Sequence, residues 1–182
     1  MSFIHPLWLA LLIGASAALT TSYTCITPFA AFAVIAATTL SRGHAVLLTV
    51  ALWLVNQAVG FGVLSYPWTV TTLAWGVAIA AAAVLGTLAA HSTVGRLVAF
   101  RTAARALAAF AAAFVVYEVA LYVAAVSALG GTEAFTPQIV GQVLVVNAAT
   151  FVGLYGLGQL IAAAAAFLSR RRRAHASLAR SA

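Results

Sequence analysis

Four polar side chains that can donate, accept or transfer protons lie inside long apolar runs. The amides Asn56 and Gln57 interrupt "LWLVNQAVGFGVLSYPW" at residues 52–68, and Glu118 and Asn147 interrupt similar runs further along the chain. An amide can hydrogen-bond a ligand or another helix, and a carboxyl group can hold a cation or pass on a proton. What these groups do depends on the solvent around the helices that carry them.

The composition is that of a membrane protein. Apolar residues make up 65% of the 182 residues and charged residues only 6%, with a mean hydropathy of +1.11. Because a soluble domain usually has about a quarter of its residues charged, this chain cannot cover a water-facing surface. Its length predicts a single domain. The lone Cys25 cannot form an internal disulfide and says nothing about the compartment.

The apolar runs predict an all-α, polytopic membrane bundle of about six transmembrane helices. A spanning helix needs about 20 mainly apolar residues, and clusters of Gly, Pro and Arg separate such runs. The first two predicted spans are short, so a broken or re-entrant first pair is an alternative. The six predicted spans cover residues 7–20, 26–40, 44–64, 68–90, 106–129 and 139–168.

The arginines predict that both termini are cytoplasmic, since short cytoplasmic loops are enriched in Lys and Arg. All 9 basic side chains are arginines. They lie between the second and third predicted spans, between the fourth and fifth, and after the sixth, whereas the opposite connections contain none. We therefore expect a six-helix transmembrane domain at residues 1–169 and a basic cytoplasmic tail at residues 170–182.

The formal net charge of +7 does not indicate nucleic-acid binding, because no basic face or recognition motif accompanies it. The arginine run at residues 170–173 directly follows a span, where basic residues attract anionic lipid headgroups. We expect contact with membrane lipid there. A docking patch for a cytoplasmic partner is the alternative.

The rise of an α-helix places the polar groups at similar depths. At about 1.5 Å per residue, Asn56 lies roughly 18 Å from the inner end of its span, and Glu118 lies roughly 20 Å from the inner end of its own. Asn147 lies roughly 15 Å from the outer end of the sixth span by the same measure. In a hydrocarbon core about 30 Å thick, all three fall in the middle third. We expect them either to enclose a ligand or to hydrogen-bond one another.

Glu118 is the only acidic residue inside a predicted span. An ionised carboxylate there costs several kcal/mol, so it usually faces a bundle interior, a partner or water. Tyr122 lies one helical turn from it on the same face. A ligand or ion role is one interpretation. The other is a packing hydrogen bond to an amide such as Asn56 or Asn147, which contributes about 1 kcal/mol in membranes.

Catalytic and metal-binding signatures are absent from the sequence. All four histidines lie at span ends or in the tails, no His or Cys pair has zinc-site spacing, and no aspartate occurs. There is no Walker A motif, so the chain does not hydrolyse ATP by itself. We expect a protein that is not an enzyme and has no metal site or resident cofactor.

The first predicted span carries a stripe of small residues. Ala10, Gly14 and Ala18 are spaced by four in "LALLIGASAALT", and such stripes let helix backbones meet closely. A partner membrane subunit is one candidate for this surface. Internal packing against the second or sixth span is the other.

In size, number of spans, predicted topology and this stripe, the chain resembles the substrate-binding S components of energy-coupling-factor (ECF) vitamin transporters. Residues 27–63 are also similar to the second and third helices of that family, with a Pro near the start of one and an Asn followed by Gly-x-Gly late in the next. The chain lacks the proline-rich signature of biotin-type members. It also lacks the N-terminal histidines of cobalt- and nickel-type members.

The resemblance implies a membrane subunit that binds a vitamin or cofactor precursor from outside and works with a separate coupling subunit and ATPases. It implies hydrogen bonding or aromatic contact with the ligand and, for Glu118, charge or proton recognition. The ligand-binding residues it implies are Asn56, Gln57, Trp75, Glu118, Tyr122 and Asn147. It also assigns Ala10, Gly14 and Ala18 to partner binding.

Two other functions remain as alternatives. One is an accessory or assembly protein whose spans dock another membrane complex, which paired amides without a cavity would favour. The other is a small proton- or ion-coupled carrier. The Arg-only, Ala-rich composition indicates a GC-rich bacterial genome, and the expected location is the bacterial cytoplasmic (inner) membrane as a multi-pass protein.

Overall fold

The computed structural model of the protein describes Leu12, Gly14 and residues 27–178. Across residues 27–178, its regular structure is entirely helical. A π-helical turn, Ala125–Leu129, extends the fourth helix, and a short 3-10 helix, Thr132–Phe135, precedes the fifth. The helices are α1 (Phe29–Thr39), α2 (Arg42–Gly62), α3 (Val70–Arg96), α4 (Thr102–Ala124) and α5 (Pro137–Leu178).

Helix α1 is the buried centre of the bundle. Every residue from Phe29 to Ala37 is buried, and α1 packs against α2, α3 and α4. Its 11 residues cover about 16 Å, roughly half the thickness of a hydrocarbon core. Because α1 ends near the start of α2, its N-terminus lies deep within the bundle. Lipid offers no water to the first N–H groups of such a helix.

Helices α3 and α4 pack closely because Gly86 has no side chain. A Cβ atom at this position would lie 3.1 Å from the backbone carbonyl oxygen of Ala113, which is a tight contact with backbone. Helices α2 and α3 are joined by a buried hydrogen bond of 2.8 Å between the hydroxyl oxygens of Thr49 and Thr87. Helix α3 is thus in close contact with both α4 and α2.

Helices α2 to α5 are all long and apolar enough to cross a membrane. Large apolar side chains on their outer faces are exposed, for example Val77 at 64%, Val119 at 55% and Val145 at 67%. Such an apolar surface is favourable in contact with lipid and unfavourable in contact with water. The all-helical, multi-pass membrane architecture predicted from composition is therefore confirmed.

Helices α2 to α5 correspond to the third to sixth predicted spans. Helix α1 occupies the place of the second, although its 11 residues are too few to cross the membrane alone. The first predicted span lies outside the described residues except for Leu12, which is buried, and Gly14, which is exposed. The number of six spans and the cytoplasmic location of both termini stay predictions.

The chain divides into two compact units, Met1–Phe151 and Val152–Ala182. All the residues of the candidate site belong to the first. In the second, α5 continues as a helix to Leu178, so the arginine run at residues 170–173 is helical in backbone. The exposed Val152, Leu160 and Phe167 give this unit an apolar surface.

Candidate functional site

Asn147 caps helix α1 from another helix. Its Oδ1 accepts hydrogen bonds from the backbone N–H groups of Ala30, at 3.1 Å, and Ala31, at 3.3 Å. Its Nδ2 donates to the carbonyl oxygen of Val143 at 2.9 Å. The N-cap position of α1 is Pro28, which makes no side-chain cap. The buried amide on α5 therefore accepts from the first N–H groups of α1, as a Ser, Asp or Asn at the N-cap does in most helices.

Asn56 and Gln57 form a hydrogen-bonded chain that ends at the residue before Pro28. The Asn56 Nδ2 donates to the hydroxyl oxygen of Thr27 at 2.6 Å, and the Gln57 Nε2 donates to the Asn56 Oδ1 at 3.0 Å. The Gln57 Oε1 lies against Gly76 of α3, 2.8 Å from where a Cβ would be. The amides that interrupt the apolar run at residues 52–68 thus connect α2 with the start of α1 and with α3.

A cavity of about 410 Å³ lies between α3, α4, the start of α5 and the segment that connects α4 to α5. Thr27, next to the start of α1, also borders it. Most of its lining is apolar. Its lining residues are Thr27, Trp75, Ile79, Tyr117, Glu118, Leu121, Gly131, Glu133, Ala134, Phe135, Ile139, Val140 and Val143.

The cavity contains both carboxylates of the protein. The chain has only 2 acidic residues, and Glu118 and Glu133 both line this one cavity. Glu118 is partly buried on α4, whereas Glu133 is exposed in the 3-10 helix. Among the residues that the structure describes, neither carboxylate has a hydrogen bond or an ion pair. They are therefore available to a ligand.

Three aromatic rings complete the lining, from Trp75, Tyr117 and Phe135. The Tyr117 ring lies 6.0 Å from the ring of Phe29, the first residue of α1. The Phe135 ring packs edge-on against Tyr122, with 5.4 Å between centroids. A Cβ at Gly131 would lie 3.6 Å from Cζ2 of Trp75, so the connecting segment contacts that ring. Gly131 has a φ of +82°, a backbone conformation that favours glycine.

The structure separates the predicted ligand-binding residues into two groups. Trp75 and Glu118 line the cavity. Tyr122 is not among the lining residues; it is half exposed, and its ring contacts the ring of Phe135. The other three, Asn56, Gln57 and Asn147, are not among the lining residues and hydrogen-bond at the start of α1. Thr27 links the groups, because it accepts from Asn56 and also borders the cavity.

Sequence reasoning missed Glu133, Tyr117 and Thr27. Glu133 had one available signal, since it is the only other acidic residue of the chain and lies in the arginine-free connection "GGTEAFTP". Tyr117 lies beside Glu118, but depth alone does not show which way a side chain points. Thr27 precedes Pro28 and gives no signal of its own.

The cavity offers chemistry for binding. Its carboxylates can pair with a positive charge, and its rings can contact a flat or methylated group. No group of three or more His, Cys, Asp or Glu side chains that could hold a metal ion occurs within the described part of the chain.

Comparisons of the chain with family models, curated proteins and solved structures find no match. The case for a function therefore depends on the cavity and on the polar groups around it.

Proposed function

We propose that this protein is a membrane-embedded subunit that binds a small molecule, such as a vitamin or cofactor precursor, for uptake. The observation that supports this most directly is the cavity of about 410 Å³ bordered by Glu118. Small-molecule sites typically measure about 300–1,000 Å³ and combine apolar walls with a few polar groups. An acidic residue inside a membrane span usually faces such a site.

The arginines indicate which side of the membrane the cavity opens to. Arg42, Arg96 and Arg101 lie at one end of the helices, and the cavity borders the opposite end, formed by residues 131–135 and the start of α5. By the positive-inside rule this arginine-free end faces away from the cytoplasm. We place the protein in the bacterial cytoplasmic membrane with six spans and both termini inside. The site then receives its ligand from outside.

An uptake subunit without an ATP site needs an energy source. The resemblance to ECF S components suggests a separate transmembrane coupling subunit with ATPases. The small-residue stripe of the first predicted span is the candidate contact. Its one described member, Gly14, is exposed, and a Cβ placed there would have no described atom within 4 Å. An exposed position is open to a partner subunit or to lipid.

The test is to block the cavity and look for a ligand carried by the purified protein. Val143 lines the cavity, whereas Val145, two residues away on α5, is 67% exposed and lies outside the lining. We expect native mass spectrometry of the wild type to show a bound small molecule. The Val143→Trp variant should lose it and the Val145→Trp variant should retain it.

A second blocking variant, Ala134→Trp, uses an exposed residue of the lining and is the safer change for folding. Uptake of the identified molecule by cells should follow the same order as its retention. A wild type that carries no small molecule, or one that is retained equally by all three variants, would contradict the proposal.

The alternatives make different demands. Paired amides without a cavity would favour a docking or assembly protein, and here the paired amides lie beside a cavity. A proton-coupled carrier is favoured by the carboxylate of Glu118, which lacks a hydrogen bond from any described residue. Flux through purified protein in liposomes without any ATPase, abolished in Glu118→Gln, would establish the carrier.

A further inference from the structure

The placement of acidic residues in this protein is highly uneven. The chain carries 9 basic and 2 acidic residues, and both acidic residues line one cavity. Anionic ligands would therefore meet the only concentration of negative charge in the molecule. A cationic ligand would meet both acidic side chains of the sequence.

The rings around the cavity match the same kind of ligand. Trp75, Tyr117 and Phe135 present aromatic surface to the space that the carboxylates border. A cation within about 6 Å of a ring centroid is attracted to the ring face, more strongly where water is excluded. Quaternary and protonated amines are the cations that aromatic residues and a carboxylate bind together.

The size and ligand set of the cavity argue against a bare metal ion. A calcium site needs six to eight oxygen ligands, and zinc needs His or Cys. The described residues contain no group of three metal-ligating side chains, and a space of about 410 Å³ is far larger than an ion requires.

We propose that the cavity selects a small organic cation, with Glu118 pairing directly with its positive group and Glu133 attracting it at the rim. This inference depends on the proposed function, because it names the class of ligand for the same cavity. The two carboxylates have different roles because Glu118 is partly buried and Glu133 is exposed. A partly buried pair is screened little by salt, whereas an exposed charge is screened within about 10 Å at 0.1 M salt.

The experiment compares three soluble probes of nearly the same shape and different charge. They are choline, the neutral 3,3-dimethylbutan-1-ol and the anion 3,3-dimethylbutanoate. Binding to the full-length protein in dodecyl maltoside micelles is followed by saturation-transfer-difference NMR. We expect choline to bind at least tenfold more tightly than the alcohol and the anion to bind most weakly.

The carboxylate variants separate the two roles. Glu118→Gln should reduce the affinity for choline to that for the alcohol while leaving the affinity for the alcohol unchanged. Glu133→Gln should keep the preference for choline but make its affinity less dependent on salt. If Glu118→Gln has left the fold disturbed, the affinity for the alcohol will also fall, and Glu118→Asp, which keeps the charge, then decides by restoring the preference.

The outcomes distinguish this inference from the proposed function. Equal binding of choline and the alcohol, tighter binding of the anion, or a neutral or anionic molecule carried by the purified protein would overturn the cation assignment and leave ligand binding intact. Choline binding that persists unchanged in Val143→Trp lies outside the cavity and also overturns the cation assignment, whereas the proposed function is contradicted only if that variant retains the carried molecule. Absence of any probe binding, together with absence of a carried molecule, overturns both.

Discussion

Two polar regions of this protein lie side by side in the membrane and differ in one respect. At the start of α1, the amides of Asn147 and Asn56 have their hydrogen bonds within the protein. In the neighbouring cavity, the carboxylates of Glu118 and Glu133 have none from any described residue. Because unpaired polar groups are costly in lipid, the first region is explained by folding. The second requires a ligand, a proton or water.

The depth of a polar group in a membrane span shows that the group needs a partner. The identity of that partner decides whether the group has a structural or a functional role. Thr27 marks the boundary, since its hydroxyl accepts from Asn56 and it also borders the cavity. Variants on the two sides of Thr27 should therefore affect different measurements.

The largest expected effect is on the structural side. Replacing Asn147 with Leu leaves the buried N–H groups of Ala30 and Ala31 without an acceptor, and we expect the free energy of unfolding to fall by roughly 2–5 kcal/mol. The measurement is SDS-induced unfolding in mixed micelles, followed by circular dichroism. The control is Gln142→Leu on the same helix, where the amide is exposed, and it should change stability by less than about 0.5 kcal/mol. Equal effects of the two changes would contradict the capping role.

The second largest effect is steric. In Gly76→Ala, the new Cβ would lie 2.8 Å from the Gln57 Oε1, so the flexible end of the Gln57 side chain must shift, and we expect this shift to break its bond to Asn56. We expect a loss of about 1–3 kcal/mol. Gly95→Ala is the matched control on α3, because a Cβ there meets no atom within 4 Å. Adding Gln57→Ala to Gly76→Ala should recover part of the loss. Without recovery, the clash is with another group.

In the cavity, we expect a substitution to lower ligand binding and not the stability of the fold. Glu118→Leu removes a carboxylate that no described residue hydrogen-bonds, so we expect stability without ligand to be unchanged or higher, as is common for residues kept for function. Retention of the bound molecule in native mass spectrometry should fall at least tenfold, or about 1.4 kcal/mol in binding free energy. A marked loss of stability with retained binding would make Glu118 a packing residue.

The positions of the helices could be predicted because each apolar run ends at Gly, Pro or Arg. Predicted spans at residues 44–64 and 68–90 correspond to Arg42–Gly62 and Val70–Arg96. The span at residues 106–129 corresponds to Thr102–Leu129, and the span at residues 139–168 lies within Pro137–Leu178, which continues past its predicted end. The second predicted span, residues 26–40, also lies close to α1, Phe29–Thr39. What could not be predicted is how a helix begins directly after Pro28, because the group that accepts from its first N–H groups is an amide 117 residues away from Ala30.

The site could be predicted only in part for a related reason. The depth of a residue follows from its distance to the span end, but its direction depends on how the helix is rotated. Helices that are apolar on all faces give no signal of rotation. Depth and chemistry therefore group Glu118 with the three amides, although only Glu118 lines the cavity and the amides hydrogen-bond within the protein near the start of α1. Glu133 lies in a connection, where depth has no meaning.

The smallest expected effect is on the hydrogen bond between Thr49 and Thr87, and it shows whether all buried polar pairs contribute equally to the free energy of unfolding. Thr49 and Thr87 join α2 to α3 through their hydroxyl groups, and each hydroxyl also lies within hydrogen-bond distance of the carbonyl oxygen four residues earlier. Two hydroxyl protons are thus shared among three contacts, since each hydroxyl donates only once. Losing the contact between the helices leaves both protons with acceptors.

A double-mutant cycle of Thr49→Val and Thr87→Val should therefore give a coupling energy of about 0.6 kcal/mol or less. It is measured by the same unfolding titration as Asn147→Leu. The contrast arises because Asn147 accepts from two backbone donors that have no other acceptor, whereas each threonine carries its own alternative partner. A coupling as large as the loss in Asn147→Leu would mean that hydrogen bonds between helices, and not the capping of a helix that begins inside the membrane, hold this bundle together.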